Sequence, residues 1–207
     1  MMRRLPRMTR HAVLAVALVL AATACGGDAD REVAQEGEGG YRWKATDEIC
    51  NVLPYGELAD PLGAREEAAD RNKRAGQGAP GVQCVQPLVE TGPAKYGNVK
   101  VELDLAYTES VDFAKDVFAR SRENTRKGVP AGGFTEVPGV GKEAYRFGFN
   151  KSDDRRQVRE LRLRDSNLMI DITVTADART LPTPESLGAF DASVADFAKA
   201  SLKALRG

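Results

Sequence analysis

The sequence contains one histidine, His11, and it lies in a segment that we expect to be removed from the mature protein. A chain without histidine cannot use Ser-His-Asp or Cys-His nucleophile activation, histidine-based zinc sites or histidine proton shuttles. The G-x-S-x-G and S-x-x-K patterns of serine nucleophiles are also absent. The G-x-G-x-x-A pattern at 139–144 precedes a predicted strand rather than a helix, so it is interpreted as a turn and not as a dinucleotide site. Carboxylates are the remaining catalytic route, and the sequence predicts neither a metal ion nor a cofactor.

Two sets of acidic residues could supply general acid–base chemistry. Asp153 and Asp154 are adjacent at a predicted hairpin tip, where both carboxylates would be exposed and ordinarily acidic. Asp171 lies on the polar face of a predicted strand, and a cross-strand ion pair with Arg162 or Arg164 would explain it without catalysis. A carboxylate-dependent envelope hydrolase is the alternative function that these residues leave open.

Basic residues are concentrated between positions 151 and 164, in a predicted hairpin. As a binding patch they would bind an anionic wall polymer, lipid headgroups or an acidic partner. As a solvated outer sheet face they would be balanced by Glu160, Asp165 and Asp171, which needs no ligand and is the favoured explanation. The residues of this candidate patch are Lys151, Arg155, Arg156, Arg159, Arg162 and Arg164.

The first 25 residues have the three zones of a bacterial export signal. A basic start with four arginines precedes an apolar run of eleven residues, 12–22, which is too short to span a membrane. Ala22, Thr23 and Ala24 then precede Cys25, whose thiol could accept a diacylglyceryl group, as in a lipobox. The same small residues fit an ordinary signal peptidase, which would leave a secreted protein with Cys25 as a bystander. Lipidation is favoured because the cysteine directly follows the cleavage point.

The two remaining cysteines are Cys50 and Cys84. If Cys25 carries lipid, they are left together in an oxidising compartment, and we expect them to form a disulfide. Closing a loop of this length contributes at most about 4 kcal/mol in the chain-entropy model. A zinc site is disfavoured because two sulfurs without histidine cannot complete a tetrahedron. A catalytic thiol is disfavoured because it normally needs a neighbouring base.

The mature chain is predicted to consist of a tether and one domain. Residues 26–40 are rich in glycine and acidic residues, and such a segment buries too little apolar surface to offset its ordering entropy. The predicted regions are a signal peptide at 1–24, a lipidated cysteine and flexible tether at 25–42, and a globular domain at 43–207. Tyr41 and Trp43 could contact a ligand, but they are expected to anchor the start of the domain.

Charge excludes one class of partner. Removal of the first 24 residues takes away four arginines and leaves 26 Lys and Arg against 30 Asp and Glu, a net charge of −4. An acidic protein has no general attraction for nucleic acid.

Hydrophobic periodicity predicts the elements that must position these residues. In the clearest strand, 99–107, alternate apolar side chains share one face. A helix capped by Ser110 ends at Gly128, residues 64–81 are predicted to be a solvated loop, and a final amphipathic helix ends the chain. The predicted fold is α+β, with a single antiparallel sheet of about five to six strands, two main helices packed on one face and a short helical N-terminal segment.

Short motifs give the chain a resemblance to a known group of proteins. One cysteine lies in an early helical segment, DEICNVLPYGELADPLG, and the second lies in GVQC. Later, VPGVGKEAY forms a turn and strand, and LRLRDSNLMI forms a strand pair. With the lipobox, these motifs make the chain resemble actinobacterial cell-envelope lipoproteins of unknown function over most of residues 46–206. The resemblance implies no catalytic residues, and the similar outline of extracytoplasmic sensor domains implies ligand binding.

Together these features predict a protein held on the extracytoplasmic face of the cell membrane by lipid on Cys25, with a non-catalytic, sensor-like binding domain. Its ligand is expected on the open sheet face or in a pocket beneath the helices. Its partners would be the membrane, through the lipid anchor, and either an envelope protein or an anionic wall polymer. The alternatives are the hydrolase and a structural accessory subunit of an envelope complex, which predicts a large exposed apolar patch.

Overall fold

A computed structural model describes Tyr41 and residues 49–67, 81–92, 95–148 and 155–206. These residues form an α+β fold with one antiparallel sheet, as the sequence predicts. The predicted signal peptide, Cys25, nearly all of the tether, Lys151 and the Asp153–Asp154 pair lie outside the described residues.

The sheet has seven strands and the described chain has three helices. The helices are α1 (Gly56–Leu62), α2 (Val111–Gly128) and α3 (Pro184–Arg206). The strands are β1 (Ala64–Glu66), β2 (Gly81–Glu90), β3 (Tyr96–Tyr107), β4 (Phe134–Glu136), β5 (Glu143–Phe147), β6 (Arg156–Asp165) and β7 (Leu168–Ala178). Across the sheet they are ordered β1-β2-β3-β7-β6-β5-β4, and every neighbouring pair is antiparallel.

The strand count exceeds the predicted five to six because of β1. This three-residue strand lies in the segment predicted to be a loop, and it pairs with the end of β2, with Ala64 opposite Glu90. Only Ala64 of its three residues is buried, so it has no alternating hydrophobic pattern by which the sequence could reveal it.

One face of the sheet, here called the inner face, carries α1, α3 and the main core. The alternate positions of β3 and β7 that point to this face are apolar and register against one another, as in Val101 opposite Val174. On α3, Phe190 packs 5.1 Å from Tyr96 and Phe197 packs 5.7 Å from Tyr55, measured between ring centroids. This burial of large aromatic and aliphatic groups is the main source of stability.

The other face, here called the outer face, carries α2, and this corrects the prediction that both main helices share one face. Phe118 of α2 packs 5.3 Å from the ring of Tyr145, and Ser121 contacts Arg162. Arg162 is an odd number of positions from Arg159, which contacts α3, so the two arginines point to opposite faces of β6. The physical reason is that Ala106 and Met169, opposite each other in β3 and β7, lie at outer-face positions. They form an apolar surface beside Phe118.

The Cys50–Cys84 disulfide is present, which confirms the predicted pairing. Both cysteines are fully buried, and their Cα atoms are 5.5 Å apart. The bridge joins the segment before α1 to β2. Within the early segment that the sequence predicts to be helical, residues 49–53 form turns and bends, and the helix α1 begins only at Gly56.

Tyr41 lies within the predicted tether at 25–42 and is anchored on the domain, as expected for this residue. Its backbone N–H donates to Asn167 Oδ1 at 2.8 Å, and its hydroxyl donates to Asp165 Oδ2 at 2.6 Å. Arg206, at the end of α3, donates to the same hydroxyl at 2.9 Å. Burial and the Asp165 hydrogen bond raise the pKa of Tyr41, so its hydroxyl remains a donor. The start of the domain is therefore fixed to the β6–β7 turn and to the C-terminal end of α3.

None of the helices in the described ranges is both long enough and apolar enough to cross a bilayer.

Candidate functional site

A cleft of about 580 Å³ opens on the inner face, between the N-terminal half of α3 and strands β4 to β6. We call it the α3 cleft. Its rim includes Gly132 and Gly148, which have φ of 83° and 138°. Glycine is favoured at such angles because it has no Cβ. Its volume is within the range of small-molecule sites.

The walls of the α3 cleft are mostly apolar. Leu187, Val194 and Ala195 come from α3, and Leu161 comes from β6. Leu161 is almost fully buried. Val137 and Pro138, which follow β4, complete this wall.

Three charged side chains meet inside the cleft. Arg159 of β6 and Arg146 of β5 both contact the carboxylate of Asp191 on α3. The exposed fractions of the side chains are 7% for Arg159, 20% for Asp191 and 42% for Arg146. Two guanidinium groups thus share one carboxylate, and the most buried member is a cation.

Arg159 has an incomplete set of partners. Its Nη1 donates to the carbonyl of Val158 at 3.1 Å, and its guanidinium lies 5.3 Å from the ring centroid of Phe190. Its Nε lies 2.6 Å from Asp191 Oδ1 in an ion pair, but no described atom accepts a hydrogen bond from it. Burial, and then the charge of Arg146, lower the pKa of Arg159 to about 10, against an opposing effect of Tyr96. The group stays protonated at neutral pH but is short of acceptors.

Arg162, on the outer face, is fully engaged. Its Nε and Nη2 donate to the two oxygens of Asp171, and its Nη1 contacts Ser121 and, at 3.4 Å, the hydroxyl of Tyr145. Burial alone would lower the pKa of Arg162, but its hydrogen bond and charge interaction with Asp171 outweigh burial and raise it. Of the two partners that the sequence offered Asp171, the structure selects Arg162.

The described basic residues do not form one patch. Arg155 and Arg156 are exposed at the start of β6, whereas Arg159 points into the α3 cleft. Arg162 and Arg164 point to the outer face, where Arg164 Nε donates to Glu143 Oε2 at 3.0 Å. The solvated face that the sequence favoured is also not observed for Arg159 and Arg164, which are buried. The reason is strand alternation, which separates position 159 from 162 and 164.

Sequence reasoning missed Asp191 and Arg146. A signal for Asp191 existed, because it lies four residues after Leu187 and three before Val194, on the apolar stripe of α3. An acidic residue on such a stripe needs a buried cation. Arg146 lies between Tyr145 and Phe147, so it faces opposite to both.

The outer face also holds the nearest arrangement to a catalytic carboxylate pair. Asp104 and Asp171 are opposite each other in β3 and β7. Burial, and then the charge of Asp171, raise the pKa of Asp104. Asp104 is nevertheless exposed, and Asp171 is held by Arg162. Within the described ranges, no three His, Cys, Asp or Glu residues are placed to hold a metal ion.

Comparison with known proteins adds no assignment: no protein-family model matches the chain, and no curated protein is similar to it.

Proposed function

We propose that this protein is a lipid-anchored, extracytoplasmic binding protein whose domain holds a small ligand in the α3 cleft without catalysing a reaction. The observation that carries the proposal is the cleft, with apolar walls and three convergent charged groups. Ligand sites typically combine such walls with a few placed polar groups. A pocket beneath a helix is one of the two locations that the sequence predicts.

The proposed location rests on the sequence. The export signal and lipobox of residues 1–25 support lipid on Cys25 and the outer face of the cell membrane. The Cys50–Cys84 disulfide is in keeping with an oxidising compartment. Tyr41, where the tether meets the domain, lies beside Arg206 at the far end of α3 from the cleft. The cleft and the attachment of the tether would thus lie at opposite ends of α3.

The partner proposals follow from this location. The membrane would be contacted through the acyl chains on Cys25, and membership of an actinobacterial lipoprotein family remains part of the proposal. An envelope protein could bind elsewhere on the domain. An anionic wall polymer is less well supported as a ligand of the 151–164 segment, because its described arginines point to both faces of the sheet.

The hydrolase alternative rests on the Asp153–Asp154 pair and on Asp171, of which only Asp171 lies within the described residues, with Asp104 opposite it. It is less well supported because a nucleophile or base must be free to react, and both oxygens of Asp171 accept hydrogen bonds from Arg162. The accessory-subunit alternative predicts a continuous apolar patch. The large exposed apolar side chains within the described ranges are Val52, Phe113 and Leu181, which come from three different segments of the chain, before α1, in α2 and before α3.

A variant that fills the cleft tests the proposed function. Gly188 lines the cleft on α3, and a Cβ added there would meet open space within 4 Å. Gly188→Trp should therefore fold normally and occupy the cleft. Ala189→Trp is the matched control, because Ala189 is exposed on the same helix outside the cleft lining.

The measurement is native mass spectrometry of the protein after incubation with an extract of its own cell envelope. We expect a bound small molecule on the wild type and on Ala189→Trp, and none on Gly188→Trp. Equal binding by all three proteins, or binding by none, would contradict the proposal. Separately, Cys25→Ser should release the protein into the medium, and unchanged membrane retention would refute the anchor.

A further inference from the structure

We infer that the ligand of the α3 cleft is an amphiphile with one anionic oxygen group on an apolar body, and that Arg159 and Arg146 bind the anionic group. This inference rests on the proposed function and adds the chemical class of the ligand. Three observations carry it: the charge inside the cleft, the incomplete partners of Arg159, and the position of Asp191.

The side chains that point into the cleft carry net positive charge. Arg146 and Arg159 contribute two positive charges, and Asp191 contributes one negative charge. Glu136 and Glu160 also line the cleft, but strand alternation directs their carboxylates to the outer face, opposite to Arg146 and Arg159. Glu136 is paired there with Arg126 at 2.9 Å. An apolar cleft with one uncompensated cation favours an anion, because Coulomb attraction is strong where water is excluded.

The comparison with Arg162 shows what Arg159 lacks. Arg162 donates from Nε and Nη2 to the two carboxylate oxygens of Asp171, and from Nη1 to the hydroxyl of Ser121. Arg159 is more buried, yet no described atom accepts a hydrogen bond from its Nε. A buried donor without an acceptor carries a desolvation cost. A carboxylate or phosphate oxygen is the acceptor that a guanidinium binds best, often with two parallel bonds.

Asp191 occupies the position that a ligand anion would take. It is partly exposed, it comes from the helix rather than the sheet, and it contacts both arginines. A ligand anion must therefore compete with Asp191 for the two guanidinium groups. Removal of the Asp191 charge should consequently raise the affinity for anions, whereas removal of a structural ion pair alone would not.

The apolar walls determine the rest of the ligand. Leu161, Leu187 and Val194 line the cleft beyond the charged groups. Each methylene that a ligand buries there should raise affinity about fourfold. Free acetate or inorganic phosphate should accordingly bind far more weakly than an anion with an alkyl chain.

Four probes with the same eight-carbon chain test the inference: octanoate, octyl phosphate, 1-octanol and octylammonium. They would be titrated into the full mature chain carrying Cys25→Ser, which needs no detergent, with calorimetry for affinity and amide NMR for location. We expect at least one of the two anions to bind about tenfold or more tightly than 1-octanol, and octylammonium to bind most weakly. Comparison of octanoate with octyl phosphate shows whether the natural ligand carries a carboxylate or a phosphate. Tighter binding of either anion than of 1-octanol supports the inference.

Two variants and a control define the roles of the residues. Arg159→Met should reduce octanoate binding to the level of 1-octanol, whereas Asp191→Asn should tighten octanoate about tenfold and leave 1-octanol unchanged. Arg155→Met is the matched control, because Arg155 is exposed directly before β6 and does not line the cleft. If Arg159→Met fails to fold, the Asp191→Asn result still decides.

The outcomes separate the two levels of the proposal. Equal binding of 1-octanol and both anions in the cleft would overturn the anion preference and leave the proposed function standing. Weaker octanoate binding by Asp191→Asn would also overturn it. If no probe perturbs cleft resonances and Gly188→Trp retains the envelope ligand, the inference and the proposed function both fail.

Discussion

Arg159 and Arg162 lie three residues apart on β6, and their surroundings differ completely. Arg162 faces α2 on the outer face, where Asp171, Ser121 and Tyr145 accept its hydrogen bonds. Arg159 faces α3 on the inner face and is the more deeply buried of the two. Its Nε forms an ion pair with Asp191, but no atom of the described residues accepts a hydrogen bond from it. The comparison teaches that burial does not by itself make an arginine structural. An arginine is structural when protein atoms accept hydrogen bonds from its N–H donors. A buried guanidinium beside a cleft that still lacks such an acceptor is suited to bind an anion.

The two faces also differ in how much of the stability they should carry. On the inner face, Phe197 is fully buried in the main core and packs on Tyr55. On the outer face, Phe118 is equally buried but outside that core, in a smaller cluster with Tyr145. Phe197→Ala should lower the free energy of unfolding by about 4 kcal/mol, the middle of the range for such truncations. Phe118→Ala should cost about 3 kcal/mol.

Hydrogen exchange separates the two truncations further. Because α2 packs through few buried residues, Phe118→Ala should lower protection in α2 while α3 remains protected. Phe197→Ala should lower protection in both helices. If Phe118→Ala lowered amide protection equally in α2 and α3, the two faces would unfold as one unit. That result would contradict the expected difference in their stability.

Replacement of each arginine by methionine tests whether Arg162 contributes more than Arg159 to the free energy of unfolding. Arg162→Met leaves Asp171 without its partner and should lower the free energy of unfolding by about 2 kcal/mol. Arg159→Met should change it by less than about 1 kcal/mol, because Arg146 still pairs with Asp191 and an apolar side chain suits the buried site. Chemical denaturation of both variants beside Arg155→Met measures the difference. A larger loss in Arg159→Met would make it the structural arginine instead.

The smallest expected effect concerns Asp104 and has a defined pH dependence. Burial and the Asp171 charge raise its pKa above the ordinary value of 3.8, so the folded state binds the proton more tightly than the unfolded state. The resulting cost to stability is present above the raised pKa and disappears as the pH falls below 3.8. Asp104→Asn should therefore stabilise the protein by about 0.5 kcal/mol or less at pH 7, and by nothing near pH 3. Arg162 and the exposed position of Asp104 keep the effect small.

A gain that persists unchanged at low pH would contradict this account of Asp104. It would show that the substitution acts through packing or through Gln83, which hydrogen-bonds Asp104, rather than through charge.

The sequence predicted the local features whose causes are local. The alternation of 99–107 predicted β3, Ser110 predicted the start of α2 and accepts from Phe113 N–H at 3.1 Å, and the cysteine count predicted the disulfide. The side of the sheet that α2 occupies could not be predicted, because it depends on Ala106 and Met169 lying opposite each other in strands that are distant in sequence.

The candidate site was only partly accessible for the same reason. Arg159 was identified as a binding candidate, but its grouping with Arg162 and Arg164 ignored alternation along β6. Its partners Asp191 and Arg146 come from α3 and β5, and only the folded chain brings them together. Reading the parity of strand positions would have separated the arginines, and reading the α3 stripe would have found Asp191.

The most direct test of the central claim is NMR observation of the arginine Nε–Hε groups during titration of the full mature chain, carrying Cys25→Ser, with octyl phosphate and octanoate. The inferred anion site predicts that the Arg159 Nε–Hε signal moves with whichever anion binds, since its proton gains an acceptor, while the Arg162 signal stays in place. Movement of the Arg162 signal, or a stationary Arg159 signal under saturating anion, would contradict it.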